Sequence, residues 1–230
     1  MDLGGWPVID WVVKRVSAAS LVDEVVVAIP DTAEDDELAE HLGGQDCRLV
    51  RGSTEDVLSR FAKAAKEIGA DPFVRITADC PFIEPGVVDR VVGAFHRGSV
   101  VDYCANTLIR SYPLGMDCEV LSGDALLTAD QEAVSAVERE HVTPFIYQRP
   151  ERFRLRNAEA PEWARHSRFR LTLDEVADLA VLRGIVSALR PDSPMDLKLK
   201  DVLEVLMHDE DLASLNAEVQ HRHVAKPDGW

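Results

Sequence analysis

Asp79 and Asp174 occupy the two positions in this sequence that best suit phosphate chemistry. Asp79 follows the apolar run at 72–77, and Asp174 follows a second run at 168–173. In proteins, Mg²⁺ is held by one or two carboxylates, keeps several waters and takes further oxygens from substrate phosphates. The pair therefore predicts a Mg²⁺ site at the rim of a sheet, although each aspartate would equally serve as a turn or helix-cap residue.

The segment at 51–56 offers a place for an anion. Arg51 is followed by a glycine, Ser53 and Thr54, before a predicted helix at 56–68. Free backbone N–H groups and the positive end of a helix dipole attract anions, and Arg51 would add a charged fork. The alternative is a capped loop without a ligand, with Thr54 as the N-cap of the helix or Ser53 in its place.

Two later segments mix acidic residues with groups that bind substrates. At 112–119 a glycine precedes Asp117 and Glu119, which suits a carboxylate pair in a pocket and equally suits a solvated strand edge. At 138–144 a single imidazole, His141, stands among charged residues and would bind a substrate carboxylate or a metal. A surface helix with ion pairs between residues three apart is the other explanation of this segment.

Strand and helix patterns alternate along most of the chain. Short apolar runs predict strands at 24–29, 47–50, 72–77, 102–105, 118–121, 152–156 and 168–173. The first of these runs is rich in β-branched residues. Amphipathic stretches predict helices at 6–18, 34–42 and 56–68, and further helices from 175 onward. Such alternation is typical of α/β proteins with a mainly parallel sheet, in which ligands lie at the carboxyl ends of the strands.

Length and composition indicate one globular domain. The chain has 230 residues, of which 46% are hydrophobic and 29% charged. Chains of this size routinely fold around one α/β sheet, so we expect a single domain over residues 1–230. No apolar run approaches the roughly 18 residues of a membrane span, and the first residues lack the pattern of a signal peptide. We therefore expect a cytoplasmic protein with no membrane partner.

Charge and cysteine spacing argue against two further classes of protein. Lysine and arginine number 25 and aspartate and glutamate 41, so the net charge is 25 − 41 = −16. This charge disfavours a nucleic-acid partner, and an anionic substrate must then meet a local cationic pocket or a bound metal. The four cysteines are widely spaced without a CxxC pair, which predicts free thiols. His221 and His223 are assigned to a tail.

Taken together and in order, the motifs resemble a known family. The resemblance rests on residues 51–58, 75–81, 112–119 and 138–144, and it covers nearly the whole chain. The chain is similar to the cytidylyltransferases of the spore-coat polysaccharide biosynthesis protein F type, which are related to the CMP-Kdo and CMP-sialate (acylneuraminate) synthetases.

This resemblance implies a Rossmann-like nucleotidyltransferase fold, a mostly parallel three-layer α/β/α sandwich. It implies transfer of CMP from CTP to an acidic sugar, nonulosonate or Kdo-like, with release of pyrophosphate, in surface polysaccharide or glycan biosynthesis. Mg²⁺ would be the cofactor, with CTP and a small acidic acceptor as partners. A homodimer is typical of the family, with the interface expected within residues 110–149.

The resemblance also assigns roles to individual residues. Asp79 and Asp174 match the catalytic metal carboxylates. Arg51, Ser53, Arg75 and Thr77 match the nucleotide-binding positions. Asp117, Glu119, Arg139 and His141 match the region that shapes the acceptor site.

The start of the chain departs from the family pattern. The family opens with a strand and a basic phosphate-binding loop of the form Gln-Ala-Arg-x-x-Ser-x-Arg-Leu-Pro-x-Lys, and residues 2–7 match the segment directly after that loop. The expectation is that the natural chain begins upstream, with the strand and loop encoded before Met1.

Three other functions remain open. The acceptor is an acidic sugar or, within the same chemistry, a phosphonate. A protein that binds a nucleotide or sugar without catalysis is a second class. A glycosyltransferase would need a clustered Asp-x-Asp, which Asp117-Cys118-Glu119 matches poorly.

Overall fold

The structure, a computed structural model, describes residues 1–220, so His221 and His223 lie outside the described residues. The strands of this part are β1 (Asp2–Leu3), β2 (Trp6–Pro7), β3 (Val26–Pro30), β4 (Arg48–Gly52), β5 (Phe73–Arg75), β6 (Tyr103–Ala105), β7 (Glu119–Leu121) and β8 (Leu155–Asn157). Its helices are α1 (Val8–Ser17), α2 (Asp36–Leu42), α3 (Val57–Ile68), α4 (Pro85–Phe95), α5 (Gly123–Glu132), α6 (Ala136–His141), α7 (Pro144–Tyr147), α8 (Val176–Leu189), α9 (Leu199–His208) and α10 (Glu210–Ser214). Two 3₁₀ turns lie at Ala33–Asp35 and Glu162–Ala164.

The strands form parallel and antiparallel ladders. β3 and β4 pair in parallel, from Val26 opposite Arg48 to Pro30 opposite Gly52. A second sheet has the order β5-β7-β6-β8, with β7 antiparallel to both β5 and β6, and β8 parallel to β6. β5, β6 and β8 therefore point in one direction, and β7 alone interrupts the expected parallel order.

Local sequence explains where the helices start. α3 begins after Asp56, whose carboxylate accepts the Ser59 N–H at 2.9 Å. The expected caps, Thr54 or Ser53, are therefore wrong, because Asp56 sits one residue before the first helical turn and reaches its free N–H groups. The first helix starts at Val8 and not at residue 6, since Trp6 and Pro7 form β2 with β1.

Apolar side chains between the helices and the sheets form the core. Residues from the beginning and the end of the chain share one cluster, in which Trp11 and Phe82 pack with Leu171 and Leu182. The four cysteines are free, and three of them are buried. Across residues 1–220, every helix is too short or too polar to span a lipid bilayer.

The segment at 168–173 forms a single bridge in place of a strand. The sequence predicts a full strand here, whereas the structure has one parallel bridge, between Leu114 and Arg170. The N–H of Leu171 donates to the carbonyl of Leu114 at 2.7 Å. Gly115, with φ of +96°, lies so close to this segment that a Cβ on it would stand 2.5 Å from the Leu171 carbonyl carbon. Only glycine permits both this approach and this backbone conformation.

Replacing Gly115 with alanine should lower the free energy of unfolding by about 2 kcal/mol or more, because the new Cβ meets backbone that has no room to move. Urea denaturation of Gly115→Ala measures this change. Gly93→Ala is the control, since Gly93 lies inside α4 and a Cβ added to it would have open space within 4 Å. That substitution should raise the free energy of unfolding by about 0.5–1 kcal/mol. Equal effects at both sites would contradict the close approach.

Candidate active site

A cavity of about 510 Å³ opens where β5 ends and β7 begins. Seven of the residues singled out from the sequence line it: Arg75, Thr77, Asp79, Asp117, Glu119, His141 and Asp174. A second cavity, of about 460 Å³, lies between Ser17 and the starts of β3 and β4, and none of the singled-out residues lines it. The first cavity is therefore the candidate active site.

Main-chain hydrogen bonds bring the two aspartate segments together. The carbonyl of Asp79 accepts the N–H of Leu173 at 2.8 Å and the hydroxyl of Thr172 at 3.2 Å. Asp174 is the next residue along, and its side chain lines the same cavity. The fold thus holds together the segments that carry Asp79 and Asp174, whose proximity the sequence only suggested.

The Asp79 carboxylate has neutral partners. Its Oδ1 accepts the Thr77 hydroxyl, and the Cys80 thiol lies 3.3 Å from the same oxygen. Within residues 1–220, none of the ion pairs involves Asp79, although Asp117, Glu119 and Asp174, which line the same cavity, are each paired with an arginine. Asp79 therefore presents a negative charge that a bound cation would balance.

Arg170 holds the second aspartate in place. Its Nη2 donates to Asp174 at 2.5 Å, and its Nε and Nη2 donate to the two oxygens of Asp178 at 2.7 and 2.9 Å. Asp178 also accepts the N–H groups of Asp174 and Glu175. Burial acts to raise the pKa of Asp178, but these hydrogen bonds outweigh it and lower the pKa below its ordinary value. Asp178 is therefore an anion that fixes the loop carrying Asp174.

The donor set suits magnesium better than a metal that needs many protein ligands. Within the described part of the chain, no group of three or more His, Cys, Asp or Glu side chains is arranged to hold a metal. Asp79 and Asp174 offer two carboxylates beside a cavity with room for phosphate oxygens and water. Mg²⁺ is bound in this way in phosphate-transfer sites, so the residues present fit it.

A buried polar network forms another wall of the cavity. Glu119 is only 7% exposed and accepts hydrogen bonds from Arg75, from the Tyr103 hydroxyl and from the Thr143 hydroxyl. The Glu119 charge is thus balanced by Arg75, which lies opposite it across the β5–β7 ladder. Both residues line the cavity, and their mutual pairing reduces the charge either one offers to a ligand.

Asp117 is paired in a similar manner. Arg110 makes a bidentate contact with it, at 2.6 and 2.7 Å. His141, at the end of α6, lines the cavity and takes part in none of the side-chain hydrogen bonds or ion pairs found in residues 1–220. Its imidazole is therefore free to contact a ligand.

Three predicted site residues do not line this cavity. Arg51 contacts Asp31, Asp36 and the carbonyl of Thr32. The hydroxyl of Ser53 accepts the N–H of Asp56 at 3.1 Å. Arg51 lies in β4 and Ser53 directly after it, and β4 belongs to the other sheet.

Arg139, the third of them, forms ion pairs on the far side of its helix from His141. It donates through Nε and Nη2 to Asp56 at 2.9 and 2.6 Å, and through Nη2 to Asp130 at 3.1 Å. These contacts join α6 to the N-terminus of α3 and to α5. Arg139 thus pairs with other helices and not with a residue three apart in its own helix, as the surface-helix explanation expected, while His141 lines the cavity.

Two arginines that line the cavity, Arg110 and Arg170, were not predicted from the sequence. A signal for Arg170 was present, because side chains of an extended chain alternate in direction. Arg170, Thr172 and Asp174 all line the cavity, whereas Leu171 between them is fully buried. No comparable signal existed for Arg110, which lies in a loop.

Known proteins are similar to this chain in sequence and in fold. A sequence model of the family described as Cytidylyltransferase matches residues 1–198. The chain is 32% identical over 220 residues to the spore coat polysaccharide biosynthesis protein SpsF of Bacillus subtilis, covering 92% of this chain and 88% of that protein. It is 36% identical over 102 residues to a 3-deoxy-manno-octulosonate cytidylyltransferase of Geobacter sulfurreducens, covering 44% of this chain and 39% of that enzyme.

A solved structure agrees with these relatives. A cytidylyltransferase from Leptospira borgpetersenii superposes with a TM-score of 0.84 at 25% identity, covering 97% of this chain and 91% of that one. The α/β nucleotidyltransferase fold expected from the sequence is confirmed by this likeness.

The contacts of Arg139 predict a structural effect that depends on pH. Burial acts to raise the pKa of Asp56, but hydrogen bonds from Arg139 and the Ser59 N–H outweigh it and lower the pKa below 3.8. The ion pair therefore stabilises the fold above about pH 4, and this stabilisation is lost as the pH falls through the lowered pKa. Arg139→Met should cost about 1 kcal/mol at pH 7 and progressively less as the pH falls below about 4.

Urea denaturation at several pH values measures this difference. Arg152→Met, which removes a more exposed ion pair with Glu132, is the control and should cost less. If Arg139→Met leaves the stability unchanged and raises the KM for the acceptor, Arg139 contacts the substrate as the resemblance implied.

Proposed function

Because the chain belongs to the cytidylyltransferase family, we propose that it transfers CMP from CTP to an acidic sugar of the nonulosonate or Kdo type and releases pyrophosphate. The observation that carries this proposal is the Asp79 carboxylate. It makes no ion pair within the described residues, and it lines a cavity of about 510 Å³ together with Asp174. The names of the relatives support it, since one acts on 3-deoxy-manno-octulosonate and another takes part in spore coat polysaccharide biosynthesis. We place the reaction in surface polysaccharide or glycan biosynthesis.

In this proposal Asp79 and Asp174 hold Mg²⁺. When bound, the ion would neutralise phosphate charge and help pyrophosphate to leave. Thr77 orients Asp79 through its hydroxyl, and Arg170 orients Asp174. The chain's part is thus to keep two carboxylates at the same rim, so that the phosphates of CTP are positioned without a covalent intermediate on the protein.

The acceptor would occupy the side of the cavity formed by Glu119, His141 and Thr143. His141 makes none of the side-chain hydrogen bonds or ion pairs found in residues 1–220, so its ring would donate a hydrogen bond to the acceptor. Arg75 and Glu119 neutralise each other and would act mainly by shaping the wall. An acceptor oxygen, and no side chain, would attack the α-phosphorus.

Asp79→Asn should reduce kcat for CTP-dependent pyrophosphate release at least about 100-fold, because the neutral amide binds a divalent cation poorly. Release of pyrophosphate is measured with CTP, UTP, GTP and ATP, with and without Mg²⁺, using 3-deoxy-manno-octulosonate and nonulosonate acceptors. The wild-type protein should prefer CTP and require Mg²⁺. Asp124→Asn is the matched control, since Asp124 lies in the first turn of α5 outside the cavity lining, and it should keep wild-type activity.

Three other outcomes would change the proposal. Full activity in Asp79→Asn would exclude Asp79 as a metal ligand. Turnover with phosphonates and not with acidic sugars would change the acceptor class. A CTP-dependent rise in melting temperature without turnover of any acceptor would indicate a binding protein.

We further propose a homodimer whose interface includes residues 110–149. This segment carries two exposed valines, Val134 at 93% and Val137 at 47% exposed, which flank the start of α6. Exposed apolar side chains close together are typical of contact surfaces. A second copy would cover them.

Light scattering at micromolar concentration should give twice the chain mass of 25.5 kDa. Val134→Asp should shift the mass toward the monomer, because a charge would be buried in the contact. Val100→Asp is the control, since Val100 is 69% exposed and lies outside the segment. A monomeric wild-type protein would rule out this assembly.

A further inference from the structure

Arg170 has a donor nitrogen that the protein does not use. The residue is 8% exposed and lines the cavity with Asp79 and Asp174. Its Nε and Nη2 are taken by Asp174 and Asp178. Nη1 is buried and has no hydrogen-bond partner in the described part of the chain.

The guanidinium has little freedom to find a partner by turning. Asp178 is fully buried and binds it through both oxygens. Asn216 donates through Nδ2 to the carbonyl of Arg170 at 3.0 Å and to Asp178 at 2.9 Å. The main chain of Arg170 is thus held by Asn216 and its guanidinium by Asp178, so Nη1 keeps its direction.

A buried charged donor without a partner has lost its hydrogen bonds to water and gained none in return. The described residues hold four such atoms, all on arginines, and two of these arginines, Arg75 and Arg170, line the cavity. Such an atom beside a cavity calls for an acceptor from outside the protein. We propose that Arg170 is a substrate-binding residue, and that Nη1 donates to an anionic phosphoryl oxygen of the nucleotide in this cavity. The inference rests on the proposed function, because it takes the ligand beside Asp174 to be CTP.

A phosphoryl oxygen fits this position better than an acceptor carboxylate. The same guanidinium donates to Asp174 at 2.5 Å, so the space beside it is the space where the proposed metal pair would hold the phosphates. The proposed acceptor wall, with Glu119 and Thr143, is built from β7 and the start of α7. Planar guanidinium groups match phosphate oxygens well, which lysine does not reproduce.

A purely structural role makes a different prediction. If Arg170 served only to neutralise Asp178, its replacement would lower stability and leave nucleotide affinity unchanged. If Nη1 contacts the phosphate, nucleotide affinity falls as well. The two effects separate when stability and binding are measured on the same variants.

The test titrates the full chain with CTP and, separately, with inorganic pyrophosphate, both with Mg²⁺, by calorimetry and thermal shift. Arg170→Lys should weaken binding of both ligands at least about tenfold. Arg156→Lys is the matched control, because Arg156 also uses both terminal nitrogens on protein acceptors and lies outside the cavity lining. It should lower the melting temperature of the free protein and keep the affinity for CTP within about twofold of the wild-type value.

Arg170→Met combined with Asp178→Asn covers the case in which Arg170→Lys does not fold. The pair removes both charges together and leaves an oxygen for the N–H groups of Asp174 and Glu175. It should fold and bind CTP at least about tenfold more weakly than wild type.

Wild-type affinity for CTP in an Arg170 variant would overturn the inference, as would a raised KM for the acceptor with unchanged CTP binding. Failure of the proposed function looks different, because the wild-type protein itself would then show no CTP-selective binding.

Discussion

The contact between residues 169–173 and two distant loops is the constraint on which the cavity depends. Three main-chain hydrogen bonds make it, from Leu114 to Phe169, from Leu171 to Leu114 and from Leu173 to Asp79. Through them the last third of the chain supplies Arg170 and Asp174 to a rim that already holds Asp79. The glycine at 115 is required because the chains meet at backbone distance, where no side chain fits.

Pairing of charges within the cavity explains why a chain of net charge −16 can accept an anion. Arg75 balances Glu119, Arg110 balances Asp117, and Arg170 is shared by Asp174 and Asp178. Since Arg75 and Arg110 are each committed to a carboxylate, their charges add little net attraction for a phosphate, and Arg170 would act through the one nitrogen that its carboxylates leave free. The unbalanced carboxylate of Asp79 then matters most, because a dication there would reverse the local charge that CTP meets.

Local pattern predicted a buried strand shortly before Asp79, because buried strands and the polar residues after them leave a short-range signal, and Asp79 follows the end of β5 by four residues. Asp174 lines the same cavity although the segment before it is not a strand. Local pattern did not predict which distant residues the long side chains contact. Arg139 contacts Asp56, 83 positions earlier in the chain, and no spacing rule connects the two. The expected strand at 168–173 failed for a related reason. Its backbone does pair, with Leu114 and with Asp79, but these distant partners lie in two separate loops, so a single bridge forms and no continuous ladder.

The turn at Val142 shows how the fold places two cavity residues side by side. Val142 has φ of 71° and ψ of −58°, and the N–H of Thr143 donates to the carbonyl of His141 at 2.8 Å. A γ-turn with positive φ is strained, the more so for a β-branched residue. A helix continuing through Val142 would place His141 and Thr143 about 200° apart around its axis. The turn instead puts both on the cavity wall while Val142 itself is fully buried, so packing of the valine offsets the strain that positions its neighbours.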